Sequence, residues 1–139
     1  MRIDLHAHST HSDGREDVQT VFASAQAAGV DVLALTDHDS TAGWAEAAEV
    51  ATEFGMGFVP GIEVTTRAKV QRDGRSRHIS VHMLAYLPDP THQGLNSVLG
   101  DSVSTRETRA KAMVDLMAVD YDITWELVLE QLEPGATIG

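Results

Sequence analysis

The period of the apolar positions changes repeatedly along the chain, and each change predicts an element. Ile3 and Leu5 alternate with polar neighbours over residues 2–6, the period of two that marks a short strand. Residues 8–14 (His-Ser-Thr-His-Ser-Asp-Gly) have no apolar period and read as a loop. Val18, Val21, Phe22 and Ala25 then recur at helical spacing, and Gly29 stands where a C′ glycine would end that helix. Val32-Leu33-Ala34-Leu35 is a continuous apolar run, as expected of a parallel strand covered on both faces. A second helix is expected from about Thr41, with Ser40 as N-cap, Trp44, Ala47, Ala48 and Ala51 facing inward and Gly55 closing it. Phe58-Val59 opens a third strand. The order β-α-β-α-β, with right-handed crossovers, predicts an α/β fold with these strands in one parallel sheet.

Beyond Ile62 the pattern differs. Two β-rich stretches flank Asp73-Gly74, a strong two-residue hairpin turn, and this pairing makes partner numbers sum to 147. From Leu95 the spacing is helical through Val98, Leu99, Val103, Ala110, Met113, Val114 and Met117, with Gly100 as a weak point that leaves one helix or two. Thr124 is placed to cap a last helix, Ile123 and Val128 to staple it, and Pro134-Gly135 to end it.

Cysteine is absent among the 139 residues, which excludes disulfides, thiol nucleophiles and sulfur-ligated metal. No apolar run approaches the ~18 residues of a membrane span, and the first residues lack the pattern of a secretory leader, so a cytoplasmic location is expected. The net charge of −11 is uneven. Residues 1–66 set two basic side chains against eleven acidic ones, residues 67–111 set eight against four, and residues 112–139 carry six acids and no Lys or Arg. A globally acidic chain is a poor non-specific nucleic-acid binder. A basic middle beside an acidic, His-rich start suits a metal site that receives an anion.

His6-x-His8 carries the chemistry. Residues i and i+2 of a strand point to one side, so both imidazoles can face one point at the carboxyl end of the sheet, where α/β folds place ligands. Asp13 follows strand one, Asp37-His38-Asp39 strand two and Gly61-Ile62-Glu63 strand three. Imidazole plus carboxylate without sulfur suits Mn²⁺, Fe²⁺ or Zn²⁺. The hairpin sum sets Glu63 opposite Leu84 and His82 opposite Thr65, so His82 shares the Glu63 face as a diagonal neighbour, roughly 7–8 Å away between Cα atoms. His78 has the same parity but lies nearer the turn, and His11 and His92 read as loop and surface residues. Arg106 and Arg109, three apart on a helix, can present two guanidinium forks to one phosphate.

Asp4-Leu5-His6-x-His8-Ser9-x-x-Ser12-Asp13-Gly14, Leu35-Thr36-Asp37-His38-Asp39, Pro60-Gly61-Ile62-Glu63 and Val81-His82-x-Leu84 together resemble the polymerase-and-histidinol-phosphatase (PHP) family. The nearest branch is that of stand-alone metal-dependent phosphoesterases acting on nucleotides and short nucleic acids. The resemblance implies a distorted (β/α)7 TIM-like barrel, with residues 1–90 as its N-terminal half and residues 91–139 as an incomplete helical inserted subdomain over the active site. It implies a cluster of up to three Mn, Fe or Zn ions held by His6, His8, Asp13, His38, Glu63 and His82. Asp13, Asp37 and His38 are the implied catalytic set, with Asp13 bridging two ions and Asp37 orienting a ligand imidazole. The substrate would be a phosphorylated small molecule, nucleotide or short nucleic acid, met by Arg106 and Arg109 and attacked by a metal-activated water. The family's further His and closing Asp-x-His pair are expected beyond Gly139. Two other readings stay open: a non-catalytic metal-binding module of a polymerase-type protein, and a histidinol-phosphate phosphatase.

Overall fold

A computed structural model describes residues 1–132. The elements run β1 (Ile3–Asp4), α1 (Val18–Ala27), β2 (Val32–Leu35), α2 (Trp44–Phe54), β3 (Gly57–Arg72), β4 (Arg75–Tyr86), α3 (Gln93–Met117) and α4 (Trp125–Leu129). The four strands form one sheet in the order β1-β2-β3-β4, parallel except for the antiparallel β3–β4 pair. The β-α-β-α-β order predicted from the apolar periods is present.

The core lies between the parallel strands and the two crossover helices. Val18 and Phe22 of α1 and Ala47, Val50 and Ala51 of α2 close on Leu33 and Leu35 of β2, and Phe22 meets Phe58 edge-on with centroids 6.0 Å apart. Leu33, Ala34 and Leu35 are all buried, so β2 is covered on both faces as its unbroken apolar run requires. The α1 chain leaves its helix through Gly29 and the α2 chain through Gly55, both at positive φ.

Local chemistry shifts the bounds of two elements and one inward-facing position. β1 is shorter than residues 2–6 because Asp4 Oδ1 accepts the His6 N–H, a side-chain bond that competes with the ladder. α2 begins at Trp44 rather than near Thr41. Ser40 Oγ accepts from Ala42 N in a preceding turn, Gly43 takes the N-cap position, and Trp44 Nε1 donates to Gly61 O at 3.0 Å. Ala48 is exposed, and Val50 takes the inward place expected for it.

The hairpin folds in the expected register. Asp73 and Gly74 both have positive φ, and the ladder sets Glu63 against Leu84 and Thr65 against His82. β3 is a single strand that leaves the parallel sheet and continues outward as one arm of the hairpin. α3 is one helix through Gly100, capped by His92, whose Nδ1 accepts from Leu95 N. Thr124 caps α4 through Leu127 N, as expected, while the Pro134-Gly135 stop lies outside the described residues. No helix among the described residues is long and apolar enough to cross a membrane.

Candidate metal centre

The carboxyl ends of β1, β2 and the parallel part of β3 open on one place, and Glu63 stands at its centre. A lone bridge pairs His38 with Glu63, with Asp39 N donating to Glu63 O at 3.1 Å. This extends β2 just far enough to bring the His38 side chain to the Glu63 carboxylate. Glu63 Oε2 lies 2.7 Å from His6 Nε2, 3.0 Å from His8 Nε2 and 3.9 Å from His38 Nε2, while Oε1 lies 2.7 Å from His82 Nδ1. Asp13 closes the other side, 3.3 Å from His8 Nδ1 and 3.7 Å from His38 Nε2. All six residues expected as ligands therefore meet.

Their ligand atoms form three overlapping groups within 4.8 Å: His6, His8 and Glu63; His8, Asp13 and His38; His38, Glu63 and His82. The donor set fits divalent metal on a further ground. His8 Nδ1 is buried without a hydrogen-bond partner, lying near Asp13 but off the bonding direction. Buried imidazole nitrogens are rarely left unpaired unless something else binds there. Glu63 is buried, which raises its carboxyl pKa, but hydrogen bonding to His6 and His82 and the charges of His38 and His6 outweigh this, so the net shift is downward. The acceptor at the centre of the cluster is thereby kept anionic.

Asp37 plays a different part from the one expected. Its carboxylate accepts from Ser9 N at 2.7 Å, Ser9 Oγ at 2.8 Å and Ser12 Oγ at 2.6 Å, so it orders the loop that carries His8 and Asp13; these bonds go to no imidazole. The reason is direction: past Leu35 the chain turns Asp37 under residues 9–12 while its neighbour His38 faces the cluster. The two serines stood in the motif without an assigned role, and an S-x-x-S-D loop beside a strand-end Asp is the signal that could have found it. Gly14 completes this loop. Its N–H donates to Ser9 O, and a Cβ there would lie 2.6 Å from His8 O and 2.7 Å from the carbonyl carbons of His8 and Ser9. Gly14→Ala must push the His8 backbone aside, so we expect about 1–3 kcal/mol of destabilisation together with reduced metal content, read by thermal unfolding and elemental analysis of the same sample.

Arg106 has partners of its own. Its Nη2 lies 2.6 Å from Asp39 Oδ2 and donates to Thr65 Oγ1, while Asp39 Oδ1 accepts from Thr65 N. The guanidinium is thus engaged by a buried carboxylate of its own chain. Arg106 and Arg109 both line a cleft of about 360 Å³ between α3 and the hairpin, beside Thr65, Arg67 and Ser80. His78 is exposed, and His11 pairs with Glu46 at 3.3 Å, outside the cluster.

Parallel strands ending on a nitrogen-and-oxygen cluster define an α/β metal-site protein, and the comparisons give its family. The profile described as PHP domain matches residues 4–129, so the chain belongs to the PHP domain family. It is 37% identical over 114 residues to a 5′-3′ exoribonuclease of Haemophilus influenzae, covering 82% of this chain and 39% of that protein. It is 39% identical over 111 residues to a 3′,5′-nucleoside bisphosphate phosphatase of Chromobacterium violaceum, covering 80% of this chain and 36% of the relative. A solved structure from Bifidobacterium adolescentis, described as a metal-dependent phosphoesterase, superposes with a TM-score of 0.86 at 38% identity, covering all of this chain and 46% of that one. The sheet corresponds to half of a PHP barrel, and the chain spans less than half the length of these relatives.

Proposed function

We propose that this chain carries the metal-binding part of a hydrolase that cleaves phosphate esters of nucleotides or short oligonucleotides. The observation that carries the reading is Glu63, one buried carboxylate within 3.9 Å of four imidazoles from three other segments. That is more ligand capacity than a single ion uses, which supports a cluster of up to three Mn, Fe or Zn ions on His6, His8, Asp13, His38, Glu63 and His82. When bound, such ions polarise a phosphoryl oxygen and lower the pKa of a water molecule, so no Ser or Cys nucleophile is required. His38 and Asp13 face the reacting phosphate in this reading, and Asp37 acts through the Ser9–Ser12 loop to place Asp13. Residues 1–90 are then the first half of a (β/α)7 TIM-like barrel, residues 91–139 belong to a helical subdomain inserted over the site, and Arg109 reaches substrate from it.

The test joins metal analysis to phosphate release. After reloading and gel filtration, more than one equivalent of Mn, Fe or Zn is expected on this chain, with weak or undetectable turnover by it alone and clear Mn-dependent release of phosphate or nucleotide from a nucleoside bisphosphate or a 5′-phosphorylated dinucleotide by a version that adds the further His and the Asp-x-His pair. Binding of no transition metal after reloading, or no hydrolysis of either ester by the extended version, overturns the reading.

A further inference from the structure

The first turn of α2 touches both sides of the metal cluster without supplying a ligand. On one side it meets the loop that carries Asp13. His11 Nε2 lies 3.3 Å from Glu46 Oε2, and the ring rests on Gly43, where a Cβ would come 2.8 Å from His11 Cδ2. The His11 N–H donates to Ser9 Oγ, which itself donates to Asp37. The loop is thus gripped by Asp37 beneath it and by α2 beside it. Asp13 depends on that grip. Its side chain is 54% exposed and Ser12 Oγ reaches it across a long 3.4 Å bond, so the loop backbone decides where its carboxylate stands. On the other side the same turn meets β3, where Trp44 Nε1 donates to Gly61 O at 3.0 Å. The parallel ladder of β3 ends at Leu35↔Pro60 and its antiparallel ladder starts at Gly61↔Tyr86. The indole therefore fixes a carbonyl at the point where the strand changes partner, two residues before Glu63.

We propose that the first turn of α2 is a bracket that sets the spacing of the metal cluster, with His11 as the positioning residue for Asp13 and Trp44 as that for Glu63. The inference rests on the metal reading of the site and adds to it two residues that bind no ion. Neither belongs to any of the three ligand groups, and the His11 Nε2 is committed to Glu46 instead. Glu46 is well placed for this, because it lies in the first turn of α2, where the helix dipole favours an anion. Spacing matters because two imidazoles are shared. His8 and His38 each belong to the group of Asp13 and to a group of Glu63, so neighbouring ions need the two carboxylates at a fixed separation. Gly43, Trp44 and Glu46 stand within one helical turn, and Asp13 and Glu63 cannot drift apart unless one of its two contacts is lost.

Mn²⁺ titration of the full chain, followed by the EPR signal of free Mn²⁺, tests this in two backgrounds. Glu63→Gln leaves the group of His8, Asp13 and His38, and Asp13→Asn leaves the two groups that share Glu63. His11→Ala is expected to weaken the ion kept in Glu63→Gln about tenfold, the scale for losing a residue that orients a metal ligand. It should leave binding in Asp13→Asn unchanged. Trp44→Phe, which keeps an aromatic ring but not the N–H, should do the reverse. His11→Gln keeps a donor to Glu46 and should restore most of the affinity. Imidazole ¹H–¹⁵N spectra of the metal-free single variants give a second measure, in which His11→Ala should shift His8 and His38 and leave His6 and His82 in place. Equal weakening by His11→Ala in both backgrounds, or none in either, overturns the bracket, and so does an equal shift of all four imidazoles. Where a background binds no ion, the spectra decide by that same rule. Failure of the unsubstituted chain to bind Mn²⁺ overturns the metal reading instead, and the spectra still decide the bracket.

Discussion

Replacing Glu63 by Gln is expected to abolish the stabilisation that metal confers on this protein. The carboxylate is shared by His6, His8, His38 and His82, so two of the three candidate ligand groups lose their anion at once. A ligand bound at a hundred times its Kd stabilises the folded state by about 2.7 kcal/mol, which for a domain of this size is a Tm rise of roughly 10 °C. The wild-type chain should show that rise on titration with Mn²⁺ or Zn²⁺, and Glu63→Gln should show almost none. Elemental analysis should find the variant retaining at most the ion near His8, Asp13 and His38, the group that does not use Glu63. A variant that keeps the full metal-induced rise would remove Glu63 from the centre of the cluster.

Such a prediction can be made from the sequence because the features behind it are local. The hairpin register follows from Asp73-Gly74, since a two-residue turn with both residues at positive φ fixes every pair behind it, and so brings His82 to Glu63 across 19 residues. The positions of His6, His38 and Glu63 follow from the ends of apolar runs, because a strand that stops being apolar has reached the rim of the sheet. What the sequence hides is direction after the strand ends. Asp37, His38 and Asp39 are adjacent, yet they face the Ser9–Ser12 loop, the cluster and Arg106 respectively. No period governs three residues in a turn, and Asp39 sits at φ 51°, a left-handed conformation that no strand or helix pattern anticipates. The lie of α3 is hidden for a related reason. Its apolar stripe is thin, with only Leu99 and Val114 buried, so polar contacts made far along the chain settle which face meets the sheet.

Arg106 supplies one such contact, and Arg106→Ala is expected to cost about 3–5 kcal/mol of stability, the range for removing one partner of a buried pair. Asp39 is the reason. Its side chain is fully buried against 12% exposure for the arginine, and it would be left charged with Thr65 N as its hydrogen-bond donor. Asp39→Asn should cost less, because Asn tolerates the left-handed backbone and the freed guanidinium stands near enough to solvent to hydrate. The double variant should lose less than the sum of the singles, with a coupling of about 1–3 kcal/mol for residues in direct contact. Urea unfolding of the four proteins gives this cycle, and additive losses would mean that the pair contributes little. The damage should also reach the metal centre. Asp39 N donates to Glu63 O, so loosening Asp39 loosens the bridge that holds His38 beside Glu63. Arg106→Ala should therefore lower metal affinity without touching a ligand, and Arg106→Lys, which keeps the charge but loses the planar fork, should restore part of it. Metal affinity unchanged in Arg106→Ala would confine the pair to holding α3 against the sheet.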